Sequence, residues 1–300
     1  FILLRILYCV CIKSYKLLPK EKSLLANELP WGVILFKRNI KSLKQVKRLI
    51  MNIRKISKDP KFPVMIDEEG SSVSRLSKII NNSFSQKLFG DTFNFSSKFC
   101  LIFYKKYINN LTKQLKKIGI NINTVPVLDV LRKDTNKIIG NRSFSDDPNI
   151  VKLLGKICVQ QYKLNKLATV IKHIPGHGCA TQDSHIKLPR VNLNFKDLSS
   201  VDFLPFKSNR SLFAMTAHVL YTKIDRNNVA TFSKKIITNI IRKKIGFKGI
   251  LISDDIAMKA LKYDLITNAK RSLLAGCNLV LYCGGNYNDT SKLIKEVPFI

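Results

Sequence analysis

A chain of 300 residues, 45% of them hydrophobic, carries enough apolar side chain to bury one large core, which excludes a disordered polymer. Its 52 lysines and arginines face only 20 acids, a formal charge of +32 that raises nucleic acid and anionic membrane as partners. The lysines are scattered from Lys13 to Lys295, and the aromatic and basic clusters of a single-strand binder do not stand out, so a solvated basic surface without a dedicated nucleic-acid partner is expected.

The apolar opening, residues 1–12, is interrupted by Arg5 and is followed by no small-residue cleavage site. It falls short of the roughly 20 apolar residues that span a bilayer, so it reads as a buried strand with no membrane span. Further β-branched or aliphatic runs follow at 33–36, 63–66, 122–127, 169–172, 213–217, 250–253 and 279–283. With residues 3–12 these make eight strands. Between them, 42–58, 98–118, 149–164, 234–245 and 267–275 carry helical spacing of apolar residues, and 290–297 is left for a closing helix.

Continuous apolar strands alternating with amphipathic helices predict a single (β/α)8 TIM barrel, irregular at its first strand, as one catalytic domain over residues 1–300. An open doubly wound sheet is the alternative. Seven cysteines, an odd number without a CxxC, indicate neither a disulfide framework nor a zinc knuckle and fit a reducing cytoplasm.

In a barrel, chemistry sits at the carboxyl ends of the strands, and those ends carry Asp67, Asp129, Lys172 with His173, His218 and Asp254. The loop 171–185, IKHIPGHGCATQDSH, concentrates three of the four histidines with an aspartate. His173, His177, Asp183 and His185 suit a zinc or iron site as well as acid/base chemistry, and the spacing does not decide between them. Any one of these histidines alone is as well explained by satisfying a backbone group. In GILISDDIAM, Asp254 directly follows a buried strand and points into the mouth, while Asp255 points elsewhere or caps the next helix. A carboxylate nucleophile and a positioned proton donor are the minimum for retaining glycoside hydrolysis.

Taken in order, DEEGSSVSR at 67–75, PVLDV at 126–130, GNRSF at 140–144, KHIPGHG with DSH at 172–185, MTAHV at 215–219 and SDDIAM at 253–258 resemble the motif set of family 3 glycoside hydrolases. PWGVILFKRN at 30–39 is similar to that family's second strand. Within the family the likeness is to bacterial β-N-acetylglucosaminidases (β-hexosaminidases). It implies removal of non-reducing terminal β-linked N-acetylglucosamine from muropeptides containing anhydro-N-acetylmuramic acid, in cytoplasmic peptidoglycan recycling. It further implies Asp254 as nucleophile, His185 with Asp183 as the acid/base pair, and Asp67, Arg75, Arg142, Lys172 and His173 as substrate-binding residues. No metal and no cofactor are implied, and a monomer is expected.

The chemistry agrees with these roles, since an imidazole titrating near about 6.5 can give a proton to a leaving oxygen and take one from water in the same cycle. The glycines and proline around His177 read as a loop that swings to deliver His185 over the sugar. Asp129 and His218 are expected behind the contacting residues. Ser71 and Ser72 stand where the family pattern has a second glycine and then an arginine, which predicts a reshaped turn if a positive φ falls there. A GlcNAc phosphorylase or another family 3 β-glucosidase, a metal-dependent hydrolase, and a degenerate basic binding protein are the other readings.

Overall fold

The computed structural model describes residues 6–182, 187–207 and 209–297. Eight parallel strands close into a barrel: β1 (Ile6–Cys11), β2 (Pro30–Leu35), β3 (Val64–Ile66), β4 (Ile122–Asn123), β5 (Ala168–Ile174), β7 (Phe213–Thr216), β9 (Ile250–Asp255) and β10 (Leu279–Tyr282), which returns to β1. The short β6 (Arg190–Val191) and β8 (Leu220–Tyr221) pair outside this ring. The predicted barrel is what forms. Its first strand is irregular, with a register shift against β2 between Ile6 and Cys9.

Alternation along each strand explains both the core and the site. Side chains two apart share a face, so Cys9, Ile34, Met65, Ile122, Val170, Met215, Ile252 and Leu281 fill the barrel interior. Their neighbours Tyr8, Val33, Val64, Ile171, Ala214 and Leu251 join the larger core beneath the helices. Continuing the inward parity two residues past Ile34, Met65, Val170, Ile252 and Leu281 reaches Phe36, Asp67, Lys172, Asp254 and Cys283. All five line the cavity at the carboxyl end.

Helices start and stop where the side chains dictate. In α2 (Leu43–Ile56) the Ser42 hydroxyl accepts from the Gln45 amide, and in α5 (Pro148–Leu164) Asp147 accepts from the Asn149 amide. Two further helices, α1 (Pro19–Asn27) and α3 (Gln86–Phe95), were not expected from the sequence. α3 turns at Ser96 directly into α4 (Ser97–Ile118). α4 ends on Gly119 at φ 104°, a left-handed cap. A short α6 (Phe195–Ser200) was also missed, whereas α7 (Leu265–Ala275) and the closing α8 (Tyr287–Glu296) lie close to the predicted segments.

Two expectations change. The helix over Ile236–Lys244 is a π-helix rather than an α-helix. The run 122–127 is a strand only at Ile122–Asn123, and pairing resumes as an isolated bridge from Val127 to Lys172. Pro126, in the gap, has no amide hydrogen to give a ladder. Among the described residues no helix is long and apolar enough to cross a membrane.

Candidate active site

A cavity of about 450 Å³ opens at the carboxyl ends of the strands, within the size range of small-molecule sites. Met215 and Leu281 form part of its floor, and Phe36, Ile138, Ile139 and Met258 its apolar walls. Asp67, Arg75, Arg142, Lys172, His173 and Asp254 all line it, so six of the eight site residues expected from the sequence come together. Asp183 and His185, the expected acid/base pair, lie outside the described residues.

One wall is a charge network. Arg75 Nη2 donates to Asp67 Oδ2 at 2.9 Å, and the Thr124 hydroxyl donates to Asp67 Oδ1. Lys172 Nζ donates to Thr124 Oγ1 at 2.9 Å and meets Glu69 Oε1 at 2.6 Å. Arg142 grips Glu69 through two parallel hydrogen bonds of 2.7 and 3.0 Å. Burial by itself would raise both carboxyls, but Lys172 and Arg75 hold Asp67 well below its ordinary range, and Arg142 and Lys172 bring Glu69 down to about 2. Glu69 was not singled out from the sequence. It stood in the DEEG motif, but an acid's partner 73 residues away in the chain leaves no local trace.

The turn joining Asp67 to Arg75 closes without the strain expected from Ser71 and Ser72. The positive φ, 138°, falls on Gly70, where a Cβ would lie 2.0 Å from the Phe84 carbonyl oxygen. Arg75 therefore reaches Asp67, and its guanidinium lies over the Phe36 ring at 5.0 Å, as does that of Arg38.

The second wall is built by β5 and the loop after it. Asp129, fully buried, accepts from His173 Nδ1 at 2.7 Å and from the backbone amides of His173 and His177 at 3.2 and 2.7 Å. A carboxylate with three donors stays ionised, and despite burial its carboxyl is held low by His173 and His177. Because the Asp129 carboxylate can only accept, Nδ1 of His173 carries a proton. His177, which also lines the cavity, is pushed down to about 4 by burial, against the pull of Asp129. Its Nδ1 has no partner among the described residues.

The glycines beside His177 serve close approach. A Cβ on Gly178 would lie 1.8 Å from the Val130 carbonyl oxygen, and one on Gly176 would lie 2.8 Å from the Asp202 Cβ. The Thr135 hydroxyl donates to the Gly178 carbonyl at 2.6 Å and the Tyr221 hydroxyl to that of Gly176.

Asp254 completes the site from β9. Burial acts to raise its carboxyl, but His218, His173, the Asp255 amide at 2.8 Å and Lys172 together keep it below the ordinary value of 3.8. It is therefore an anion in an apolar-floored cavity lined by cations. Contrary to expectation, Asp255 neither caps the next helix, whose cap is Asp264, nor points away: it accepts from the amides of Ala257 and Cys283 at 3.1 Å each and borders the cavity. His218, fully buried, faces the Asp255 carbonyl at 3.0 Å and Thr231 Oγ1 at 2.7 Å, so it and Asp129 stand behind the lining, as expected.

Comparison with known proteins places this chain in a family. The family model described as glycosyl hydrolase family 3 N terminal domain matches residues 8–298. The chain is 34% identical over 279 residues to the β-hexosaminidase of Hydrogenovibrio crunogenus, covering 91% of this chain and 77% of that protein. It is 33% identical to that of Nitrosomonas eutropha, covering 86% and 75%. The crystal structure of native NagZ from Neisseria gonorrhoeae superposes with a TM-score of 0.87 at 28% identity, covering 97% of this chain and 85% of that one. The chain spans 35% of a fungal multi-domain β-N-acetylglucosaminidase and 56% of the Paenibacillus enzyme, both also at a TM-score of 0.87.

Proposed function

The chain belongs to glycosyl hydrolase family 3, and on that premise we propose that it is a retaining β-N-acetylhexosaminidase, with residues 1–300 as one catalytic domain. In this reading it removes non-reducing terminal β-linked N-acetylglucosamine from muropeptides carrying anhydro-N-acetylmuramic acid, in cytoplasmic peptidoglycan recycling. The observation that carries it is the ionised, inward-facing Asp254 at a cavity whose facing walls present charged donors and acceptors for hydroxyls.

Asp254 attacks the anomeric carbon as the glycosidic C–O bond breaks, and His185, oriented by Asp183, gives its proton to the leaving oxygen. The product of this step is a glycosyl ester on Asp254. The neutral His185 then takes a proton from water, whose oxygen attacks the anomeric carbon, and the ester bond to Asp254 breaks with retention of configuration. Asp67 accepts from sugar hydroxyls and is kept anionic for that purpose by Arg75 and Lys172. Arg142 and Lys172 donate, each such charged bond contributing about 1.5–3 kcal/mol. His173 presents Nε2 to the sugar.

Release of p-nitrophenol from 4-nitrophenyl N-acetyl-β-glucosaminide by the purified protein, with EDTA present, tests the reading. Turnover, together with a mass increase on Asp254 after treatment with a fluorinated N-acetylglucosamine analogue, is expected. A folded protein that neither turns over nor is labelled rejects the assignment, and rate stimulation by phosphate would make phosphate the acceptor in place of water.

A further inference from the structure

The corner between α3 and α4 carries a surface that the proposed hydrolysis does not use. Phe95, the last residue of α3, is 91% exposed, and Phe99 and Ile102 on the first turns of α4 are 58% and 63% exposed. Single exposed apolar residues are ordinary, but three large ones gathered on one corner are not. The patch is also anchored. Phe99 stacks on Phe103 with centroids 5.9 Å apart, and Phe103 meets Phe84 edge to face at 5.4 Å, so the outer ring is backed by aromatic packing.

The charged side chains of α4 beside the patch are all cationic. Lys98, Lys105 and Lys106 are exposed beside Phe99 and Ile102, and the whole of α4 holds six lysines and no acid. The nearest acid on α3, Asp91, is paired with Lys87. Lysine stems can lie along an apolar surface while their ammonium groups reach outward to anions. This cluster is hidden in the sequence because lysine is common throughout the chain.

The topology sets its orientation. α4 leads through Gly119 into the amino end of β4, so its start lies about 33 Å away at 1.5 Å per residue, toward the carboxyl ends of the strands. The patch is thus at the same end of the barrel as the cavity.

We propose that the α3–α4 corner docks on an anionic lipid surface, inserting Phe95, Phe99 and Ile102 between headgroups while Lys98, Lys105 and Lys106 pair with lipid phosphates. An apolar tip ringed by lysines is the composition that interfacial binding requires, since apolar burial and attraction to anionic lipid add. Bilayer docking also brings the cavity mouth toward the membrane surface.

The test is co-sedimentation of the full chain with phosphatidylcholine vesicles, with and without about 30% phosphatidylglycerol, at about 0.15 M salt. Binding to the anionic vesicles alone is expected, and a Phe95→Ser/Phe99→Ser variant should bind about tenfold more weakly with an unchanged thermal melt by circular dichroism. Lys105→Gln/Lys106→Gln should weaken binding more than Lys163→Gln/Lys248→Gln, which removes equal charge at the opposite end of the barrel. Equal binding by the phenylalanine variant would show that net charge alone attracts the protein and would overturn the proposal. So would no binding to either vesicle, or self-association in solution that the phenylalanine variant abolishes, which would make the patch a contact between copies.

Discussion

Glu69 holds Arg142 through two hydrogen bonds of 2.7 and 3.0 Å and meets Lys172 at 2.6 Å, so a single buried carboxylate fixes two cations of the cavity wall. Without it, Arg142 would lose its directly bonded carboxylate and Lys172 its shortest ion pair.

Glu69→Gln keeps the shape and removes the charge. Stability should fall by about 3 kcal/mol, because removing one partner of a buried ion pair leaves its charge unpaired. Chemical denaturation should show this as a lower midpoint at unchanged slope, and KM for the nitrophenyl glycoside should rise as Arg142 and Lys172 lose their positions.

The same carboxylate sets an acid-stability window. Its folded value, about 2, lies below the ordinary 4.5, so the unfolded chain binds more protons between those values. The stability it contributes is present above about pH 4.5 and is lost as pH falls toward 2. Denaturation midpoints of Glu69→Gln measured across that range should show a shallower pH dependence than those of the parent.

His177 acts in a different window. Burial lowers it from 6.5 to about 4, so the folded state favours the neutral ring. Its contribution is complete above pH 6.5 and is lost as pH falls to 4, where the unfolded chain binds the extra proton. His177→Gln should flatten the pH dependence of stability between 4 and 6.5 while leaving the more acidic window intact.

Asp129→Asn tests the orientation of His173. An asparagine carbonyl oxygen in place of Oδ1 can accept from both backbone N–H groups, but the NH2 in place of Oδ2 cannot accept from Nδ1–H, so the ring must move its proton or turn. Loss of one hydrogen bond to substrate should lower kcat/KM by about 2- to 10-fold. An unchanged kcat/KM would show that His173 does not depend on Asp129.

Gly178→Ala would push a methyl group against the Val130 carbonyl oxygen, which the native backbone places 1.8 Å from a Cβ. Overpacking should cost about 1–3 kcal/mol, read from thermal unfolding. Because His177 adjoins the displaced residue, turnover should fall in the same variant.

Local patterning in the chain was sufficient for the barrel and for four cavity residues, Asp67, Lys172, His173 and Asp254, while Arg75 and Arg142 came from the resemblance to family 3 motifs. Alternation of inward and outward side chains is a property of consecutive residues, so the parity of Met65, Val170 and Ile252 already aims Asp67, Lys172 and Asp254 at the mouth. The resemblance to family 3 motifs supplied roles for those positions. Helices α1 and α3 were less legible, α1 being short with a weak periodic signal and α3 separated from α4 by a single capping serine.

Only the tertiary structure decided who faces whom. Glu69 meets Arg142 across 73 residues and Asp129 meets His173 across 44, and both carboxylates are held ionised by that proximity. The same holds for Gly178, whose lack of a side chain is explained by a carbonyl 48 residues earlier. Strand parity is written in neighbouring residues, but electrostatics and close packing act through space, and closing the barrel is what turns distant residues into neighbours.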